Sequence, residues 1–178
     1  TGAATPSAGA PVIAQGAGRL DVAAAARAAL TASPPSLALG LADLGDDTVT
    51  DAARTTLRNN GRSTLTLRLR VRTQGEDAGT AVVAPRRVTL PPGGEATVTV
   101  TVRGPGGHRD GDRDLAGWLL AETPHSSVPA LRVPYLLAVR PLAVHVSPDP
   151  SDGDTAAFLR APTDLDEPPV LTVTPPHG

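Results

Sequence analysis

Residues 96–102 read Ala-Thr-Val-Thr-Val-Thr-Val, an unbroken alternation of small apolar and hydroxyl-bearing side chains. Successive side chains of a β-strand point to opposite faces, so the valines share one face and the threonines share the other. Both residue types also favour strands. The stretch therefore predicts a half-buried antiparallel strand with its valines in a core and its threonines in solvent.

The same alternation occurs at residues 63–72, where Leu65, Leu67, Leu69 and Val71 share one face and Thr64, Thr66, Arg68, Arg70 and Arg72 share the other. Shorter strands are expected at residues 36–41, 48–57, 82–84, 87–90, 115–121 and 131–139. Pro134 places the first half of the last strand at an edge or a bulge. Asn59-Asn60-Gly61 predicts a hairpin turn, and Pro91-Pro92-Gly93-Gly94 predicts another turn.

About seven short strands with frequent turns predict a mostly β protein, an immunoglobulin- or fibronectin type III-like antiparallel β-sandwich. A small barrel would show the same pattern. Aromatic residues make up only 2% of the chain, so the core must be built from valine, leucine and alanine.

One short helix is expected before the sandwich, at residues 20–31 (LDVAAAARAALT), with Asp21 as its N-cap. Ser33-Pro34-Pro35 ends it. Gly16-Ala17-Gly18 is interpreted as a turn into this helix, because Asp21 stands where a dinucleotide-binding fingerprint has its third glycine. After Pro141, residues 142–146 and 170–173 are expected to be strands, with a polar loop at 147–156 between them.

Composition argues against several classes of function. The net charge is −2, and positive and negative residues are mixed along the chain, so nothing in the sequence suggests the one-signed basic face that nucleic acid requires. There is no cysteine for disulfides or thiolate chemistry, and no stretch reaches the ~18 apolar residues of a membrane span. The absence of methionine, even at position 1, predicts a piece of a longer protein. Arginine supplies all sixteen basic residues, which together with the heavy use of alanine, glycine and proline indicates a GC-rich genome.

No catalytic residue is predicted. His108, His125 and His177 lie in or beside loops, and His145 lies on an alternating strand. The chain has no Gly-x-Ser-x-Gly elbow, and the adjacent His125-Ser126 pair does not suit nucleophilic catalysis because sequence neighbours rarely point at each other. The histidines are interpreted as exposed polar residues.

Two acidic clusters offer oxygen ligands for calcium, namely Asp110, Asp112 and Asp114, and Asp149, Asp152 and Asp154. A calcium loop of the EF-hand type that starts at Asp110 needs glycine at its sixth position and an acid at its twelfth, where Leu115 and Ala121 stand. Both clusters are therefore interpreted as solvated loops, and no metal or cofactor is predicted.

Two further features have competing interpretations. Arg68, Arg70 and Arg72 form either an anion or polysaccharide site or the solvated face of a sheet, and the second is favoured. Trp118 is either a carbohydrate platform or a core or edge residue, and its neighbours Leu119 and Leu120 favour the latter.

Residues 15–25, Gln-Gly-Ala-Gly-Arg-Leu-Asp-Val-Ala-Ala-Ala, resemble the last segment of the catalytic domain of subtilisin-like serine proteases, the S8 or subtilase family. In large secreted bacterial members, a fibronectin type III-like sandwich often follows. Residues 33–40, 56–61, 88–94 and 131–135 fit that module in order, so the resemblance covers about residues 10–140. The family's serine, aspartate and histidine motifs do not occur in this chain. The resemblance thus implies an activity for the parent protein and no catalytic residue here.

The resemblance implies that residues 1–33 end a subtilase catalytic domain, residues 34–141 form the sandwich, and residues 142–178 are the truncated start of a further module or a tail. The expected function is a non-catalytic accessory region of a secreted, extracellular serine endopeptidase. It would brace the catalytic domain of the same chain, its expected partner, or guide protein substrate. The alternative is an extracellular binding module for a cell-wall polymer or a protein ligand.

Overall fold

A computed structural model describes residues 4–5, 7, 9–43, 48–75, 79–105, 113–124, 130–140, 143–148 and 155–160, the last two ranges as backbone. The strands in these ranges are β1 (Ala4–Thr5), β2 (Arg19–Leu20), β3 (Leu30–Ser33), β4 (Leu37–Asp43), β5 (Thr48–Asn59), β6 (Leu65–Gln74), β7 (Thr80–Ala84), β8 (Arg87–Leu90), β9 (Glu95–Pro105), β10 (Arg113–Glu122), β11 (Leu131–Arg140), β12 (Ala143–Pro148) and β13 (Thr155–Arg160). Two short helices, α1 (Val12–Gln15) and α2 (Val22–Ala26), precede the third strand.

Strands β3 to β11 form two sheets. The five-stranded sheet has the order β4-β11-β10-β6-β8, and the four-stranded sheet has the order β3-β5-β9-β7. Neighbouring strands are antiparallel, except that β4 runs parallel to β11. The chain passes from one sheet to the other at Ser33-Pro34 and again at Ala84-Pro85, and both peptide bonds are cis. The predicted mostly β sandwich is confirmed. If β3 and β4 are counted as one strand, and β7 and β8 as another, the two sheets contain seven strands, in agreement with the prediction of about seven.

The core between the sheets consists of leucine and valine, as the alternation predicted, together with Ala121 and Tyr135. Val98, Val100 and Val102 of β9 have no exposed surface. The burial pattern of β6 alternates in the same way from Leu65 to Arg70, with its leucines inside and its arginines outside. The inner and outer faces predicted for these two strands from the two-residue period are thus confirmed.

Tyr135 is the largest fully buried side chain, and it lies over Gly117 on the neighbouring strand. A Cβ atom at Gly117 would collide with the tyrosine hydroxyl and with the carbonyl oxygen of Arg72, so glycine makes room for the ring. The Tyr135 hydroxyl has no hydrogen-bond partner in the described part of the chain. Burial raises the pKa of Tyr135 to about 12.

The hairpin turn predicted at residues 59–61 is wrong. Strands β5 and β6 belong to different sheets, so the segment between them is a corner that crosses the sandwich. The side chain of Asn59 is fully buried there, and its Nδ2 donates to the carbonyl oxygens of Ser63 and Leu90, both at 2.9 Å, and of Pro91 at 3.1 Å. Its Oδ1 accepts from the Gly61 N–H at 2.9 Å. The asparagine side chain therefore organises the corner itself.

The helix predicted at residues 20–31 is shorter, because α2 ends at Ala26 and α1 forms a second helix before it. The predicted N-cap is confirmed, since Asp21 Oδ1 accepts from the Ala24 N–H at 2.9 Å. Residues 30–33 form β3 instead, which pairs with β5 and buries Leu30. Burial of this leucine outweighs the helix propensity of the alanine run. The domain boundary at residue 33 stays a prediction. Strand β3, which belongs to the four-stranded sheet of the sandwich, lies on the N-terminal side of that boundary.

The closing strand β11 has the edge character predicted from Pro134. Strand β4 pairs with β11 only from Tyr135 onward, so residues 131–134 border β10 alone. Beyond the sandwich, β12 agrees with the strand predicted at 142–146, and it pairs with β13, which begins inside the predicted loop at 147–156. The strand predicted at 170–173 lies outside the described residues. No helix in the described ranges is long and apolar enough to cross a membrane.

Candidate functional site

The outer face of the five-stranded sheet carries the single tryptophan of the chain. The register places Trp118 of β10 between Arg72 of β6 and Pro134 of β11. These side chains point away from the core because the intervening residues, such as Leu119, fill it. The sheet thus presents an aromatic ring beside a guanidinium group on its outer surface.

The same register continues the pattern toward the other end of β10. Leu120 lies between Arg70 and Arg132, and Glu122 lies opposite Arg68. Arg68 in turn faces Arg87 on β8. Positive side chains are therefore concentrated on this half of the face.

The N-terminal strap, defined here as residues 9–18, crosses this face over Trp118. Helix α1 packs against β10 and β11, and Val12 is only 3% exposed although it lies outside the main core cluster. The indole Nε1–H of Trp118 donates to the Gly16 carbonyl oxygen at 3.2 Å. Gln74 Oε1 accepts from the Val12 N–H at 2.6 Å. One buried side chain and two hydrogen bonds hold the strap on the sheet.

Gln15 holds the strap in its own conformation. Its Oε1 accepts from the Ser7 N–H at 2.7 Å, and its Nε2 donates to the Ala10 carbonyl oxygen at 2.5 Å. Gly16 follows with a φ of 56°, a backbone conformation that glycine adopts without steric cost, and it ends α1. The strap is therefore a folded turn that presents Val12 to the sheet.

A cleft of about 490 Å³ lies between the strap and the sheet. Ser7 and Gln15 line it on the strap side, and Arg72, Gln74, Trp118, Leu120 and Arg132 line it on the sheet side. Its surface combines an aromatic ring, an aliphatic side chain and two guanidinium groups. Such a mixture suits a ligand that has both apolar and negatively charged parts.

Charge on this face is unbalanced. Among the outward-facing residues of β6, β8, β10 and β11, only Asp114 and Glu122 carry a carboxylate, and each is paired, Asp114 with Arg140 at 2.7 Å and Glu122 with Arg70. The remaining arginines of this half make no ion pair or side-chain hydrogen bond within the described ranges, namely Arg68, Arg72, Arg87 and Arg132. The face can therefore accept negative charge from outside.

Most of the residues considered as candidates for catalysis or metal binding lie outside the described residues. His108, His125, Ser126, His177, Asp110, Asp112, Asp149, Asp152 and Asp154 lie outside the described residues, and only the backbone of His145 is described, in β12. Asp114 is the exception, and its ion pair ties β10 to β11. No group of three or more possible metal ligands occurs among the residues that the structure describes.

The arginine stripe is exposed on the sheet, as the alternation predicted. Trp118 lies on the outer face, half-buried under the strap rather than in the core. Sequence reasoning missed the contributions of Arg87 and Arg132 because they come from other strands. Strand register places Arg87 beside Arg68 and Arg132 beside Leu120, and register cannot be predicted from the local sequence pattern of any one strand.

No protein-family model matches this chain, and a comparison with curated proteins finds no relative. Similar solved structures include SSP-19, an MSP-domain-like protein of Caenorhabditis elegans, at 12% identity and a TM-score of 0.39, covering 60% of this chain and 97% of that one. PapD-like domain 7 of human CEP192 has 13% identity and a TM-score of 0.41, covering 66% and 87%. The periplasmic chaperone SfaE has 16% identity and a TM-score of 0.38, covering 67% and 61%. These neighbours concern the β-sandwich alone, and the subtilisin-like origin of the chain stays a prediction.

Proposed function

We propose that this chain is a non-catalytic accessory region in which a β-sandwich braces the polypeptide segment that precedes it. Residues 1–33 would belong to the C-terminal end of a subtilisin-like catalytic domain. The parent protein would be an extracellular endopeptidase whose catalytic residues lie outside this chain. The sandwich would hold the end of that domain in place.

The observation that carries this proposal is the docking of the strap on the sheet. Val12 is buried by residues far from it in sequence, and its N–H is bound by Gln74. The second tie, from Trp118 to Gly16, joins residues more than half the chain apart. Contacts of this kind remove conformational freedom from a segment with little regular structure of its own.

The brace is tested with two adjacent residues of the strap in the protein that carries the catalytic domain. Val12→Ser removes a buried side chain, at a cost of about 2 kcal/mol, whereas Ile13→Ser changes a side chain that is 57% exposed. We expect Val12→Ser to shorten the half-life of peptidase activity on heating several-fold, and Ile13→Ser to leave it unchanged. Both variants should keep kcat/KM at ambient temperature. Equal half-lives in the two variants would argue against a brace.

The isolated chain provides a second readout. Trp118 is the only tryptophan, so its emission should shift to the red when Val12→Ser loosens the strap. The isolated chain should not hydrolyse casein. Casein hydrolysis that a serine-directed reagent blocks would overturn the non-catalytic assignment.

A second candidate function is an extracellular binding module, favoured by the cleft between the strap and the sheet. The two candidates predict different sequences upstream of Thr1. A protease accessory region requires the Gly-Thr-Ser-Met-Ala-x-Pro serine motif there, whereas a modular binding protein requires further sandwiches.

A further inference from the structure

Four arginines follow one another across the outer face of the five-stranded sheet, and we call Arg68, Arg72, Arg87 and Arg132 the arginine track. Arg68 and Arg72 lie on the same face of β6, with Arg70 between them. Arg70 is paired with Glu122, so the unpaired charges on β6 are those of Arg68 and Arg72, which are four residues and roughly 13 Å apart. An extended peptide presents every fourth side chain on one face with the same spacing.

Separate depressions lie at the two ends of the track. At one end, Arg72 and Arg132 line the cleft beside Trp118 and Leu120. At the other end, Arg68 lines two further depressions, one with Glu122 and Pro124 and the other with Arg87. A chain-like ligand would therefore contact several guanidinium groups at once.

The pair formed by Arg70 and Glu122 shows how this face holds a carboxylate. Glu122 belongs to the neighbouring strand, and its side chain reaches across to the guanidinium group of Arg70. The arginines of the track lie on the same face, and none of them forms an ion pair among the described residues. Carboxylates supplied by a partner would complete the pattern.

The surface beside the track already binds peptide backbone. Gln74 accepts a hydrogen bond from a main-chain N–H of the strap, and Trp118 donates one to a main-chain carbonyl. Side chains on this face are thus spaced to meet the donors and acceptors of a polypeptide. This observation favours a peptide over a carbohydrate as the ligand.

We propose that the arginine track binds an extended acidic peptide segment of a partner protein, with carboxylates four residues apart that run along β6. This role goes beyond the brace, because it uses arginines that do not contact the strap through any hydrogen bond within the described ranges. The strap and the ligand would occupy neighbouring parts of one face.

The proposal is tested with the full chain and two labelled synthetic peptides, followed by fluorescence anisotropy. One peptide, called the alternating peptide, has glutamate at every fourth position with three serines between, and the other has the same composition in two blocks. We expect the alternating peptide to bind more tightly, with an affinity that falls as salt is added. Equal affinity for the two peptides would contradict recognition by spacing.

Variants locate the site. Arg68→Gln and Arg72→Gln should each weaken binding of the alternating peptide by about 2- to 5-fold, the range typical of exposed ion pairs. Arg103→Gln is the matched control, because Arg103 is equally exposed but lies on β9 in the other sheet. It should leave the affinity unchanged. The same loss of affinity in all three variants would mean that binding depends on the net charge of the protein, and this result would overturn the proposed site.

An acidic polysaccharide is the competing ligand. Polygalacturonate should bind more weakly than the alternating peptide, and tighter binding of the polysaccharide would overturn the proposal. Failure of these experiments would leave the brace intact, since the test of the brace depends on Val12, which has no part in the arginine track.

Discussion

Asn59 shows how one polar side chain can organise a corner of a sandwich. It is completely buried, yet both ends of its amide are satisfied by main-chain groups of the corner and of the Pro91–Gly94 turn. Its own backbone joins the same network, since its N–H donates to Gly94 and its carbonyl accepts from Gly93. The residue therefore fixes the corner to the turn that precedes β9.

Replacement of this side chain should be costly. Asn59→Ala leaves the carbonyl of Leu90 and the N–H of Gly61 without their partner, so we expect the free energy of unfolding to fall by about 3 kcal/mol. Asn60→Ala is the control, since Asn60 is exposed and its side chain bonds only the Thr31 hydroxyl among the described residues. Urea unfolding of both variants measures the difference, and similar losses would contradict the special role of Asn59.

Strand β9 carries the clearest link between sequence and structure at the scale of an element. Its valines are buried and its threonines face outward along the whole of residues 97–102, although the two side chains have nearly the same shape. The hydroxyl group alone thus distinguishes the two faces. Burying that group without a partner costs free energy, whereas exposing it does not.

Exchange of the two residue types should therefore destabilise the fold on the buried face and have little effect on the outer face. Val100→Thr places a hydroxyl group in the core and should lower the free energy of unfolding by about 2 kcal/mol. Thr101→Val on the outer face should change it by less than about 0.5 kcal/mol. Thermal unfolding of both variants checks this. A near-neutral Val100→Thr would mean that the core tolerates the hydroxyl group.

Elements of this alternating kind could be predicted from sequence because a two-residue period is a local property. Residues 30–33 could not, since their place in a sheet depends on pairing with β5, which lies far along the chain. The corner at Asn59 could not be predicted for the same reason. Its local composition is typical of a hairpin, but β6, the strand that follows it, pairs with strands of the other sheet. For the candidate site, the arginines of β6 were visible, whereas Arg87, Arg132 and the covering strap required the register.

At the scale of the whole molecule, the amino-acid composition makes Tyr135 the side chain to follow in an alkaline titration. The sequence has no lysine and no cysteine, and Tyr135 is its only tyrosine. The side chains with reference pKa values between about 8.5 and 10.4 are those of cysteine, tyrosine and lysine. Of these three residue types, the sequence contains Tyr135 alone. Alkaline unfolding should therefore report on one buried hydroxyl.

The direction of the effect follows from the pKa. Burial raises the pKa of Tyr135 from 10.0 to about 12, so the folded chain keeps this proton at a pH where the unfolded chain has lost it. The stabilisation is fully present below pH 10 and is lost between about pH 10 and 12, with a slope that approaches about 1.4 kcal/mol per pH unit.

Tyr135→Phe removes the hydroxyl group that has no partner in the described ranges. The variant should be more stable at neutral pH by about 1 kcal/mol, and its stability should stay flat between about pH 10 and 12. Urea unfolding across this range compares the two proteins, and tyrosinate absorbance follows the ionisation of the native chain directly. A phenolate that forms near pH 10 in the folded protein, or a parallel fall in the phenylalanine variant, would show that the ring is not sealed between the two sheets. The stability of the sandwich in alkali thus depends on how completely β10 and β11 enclose a single side chain.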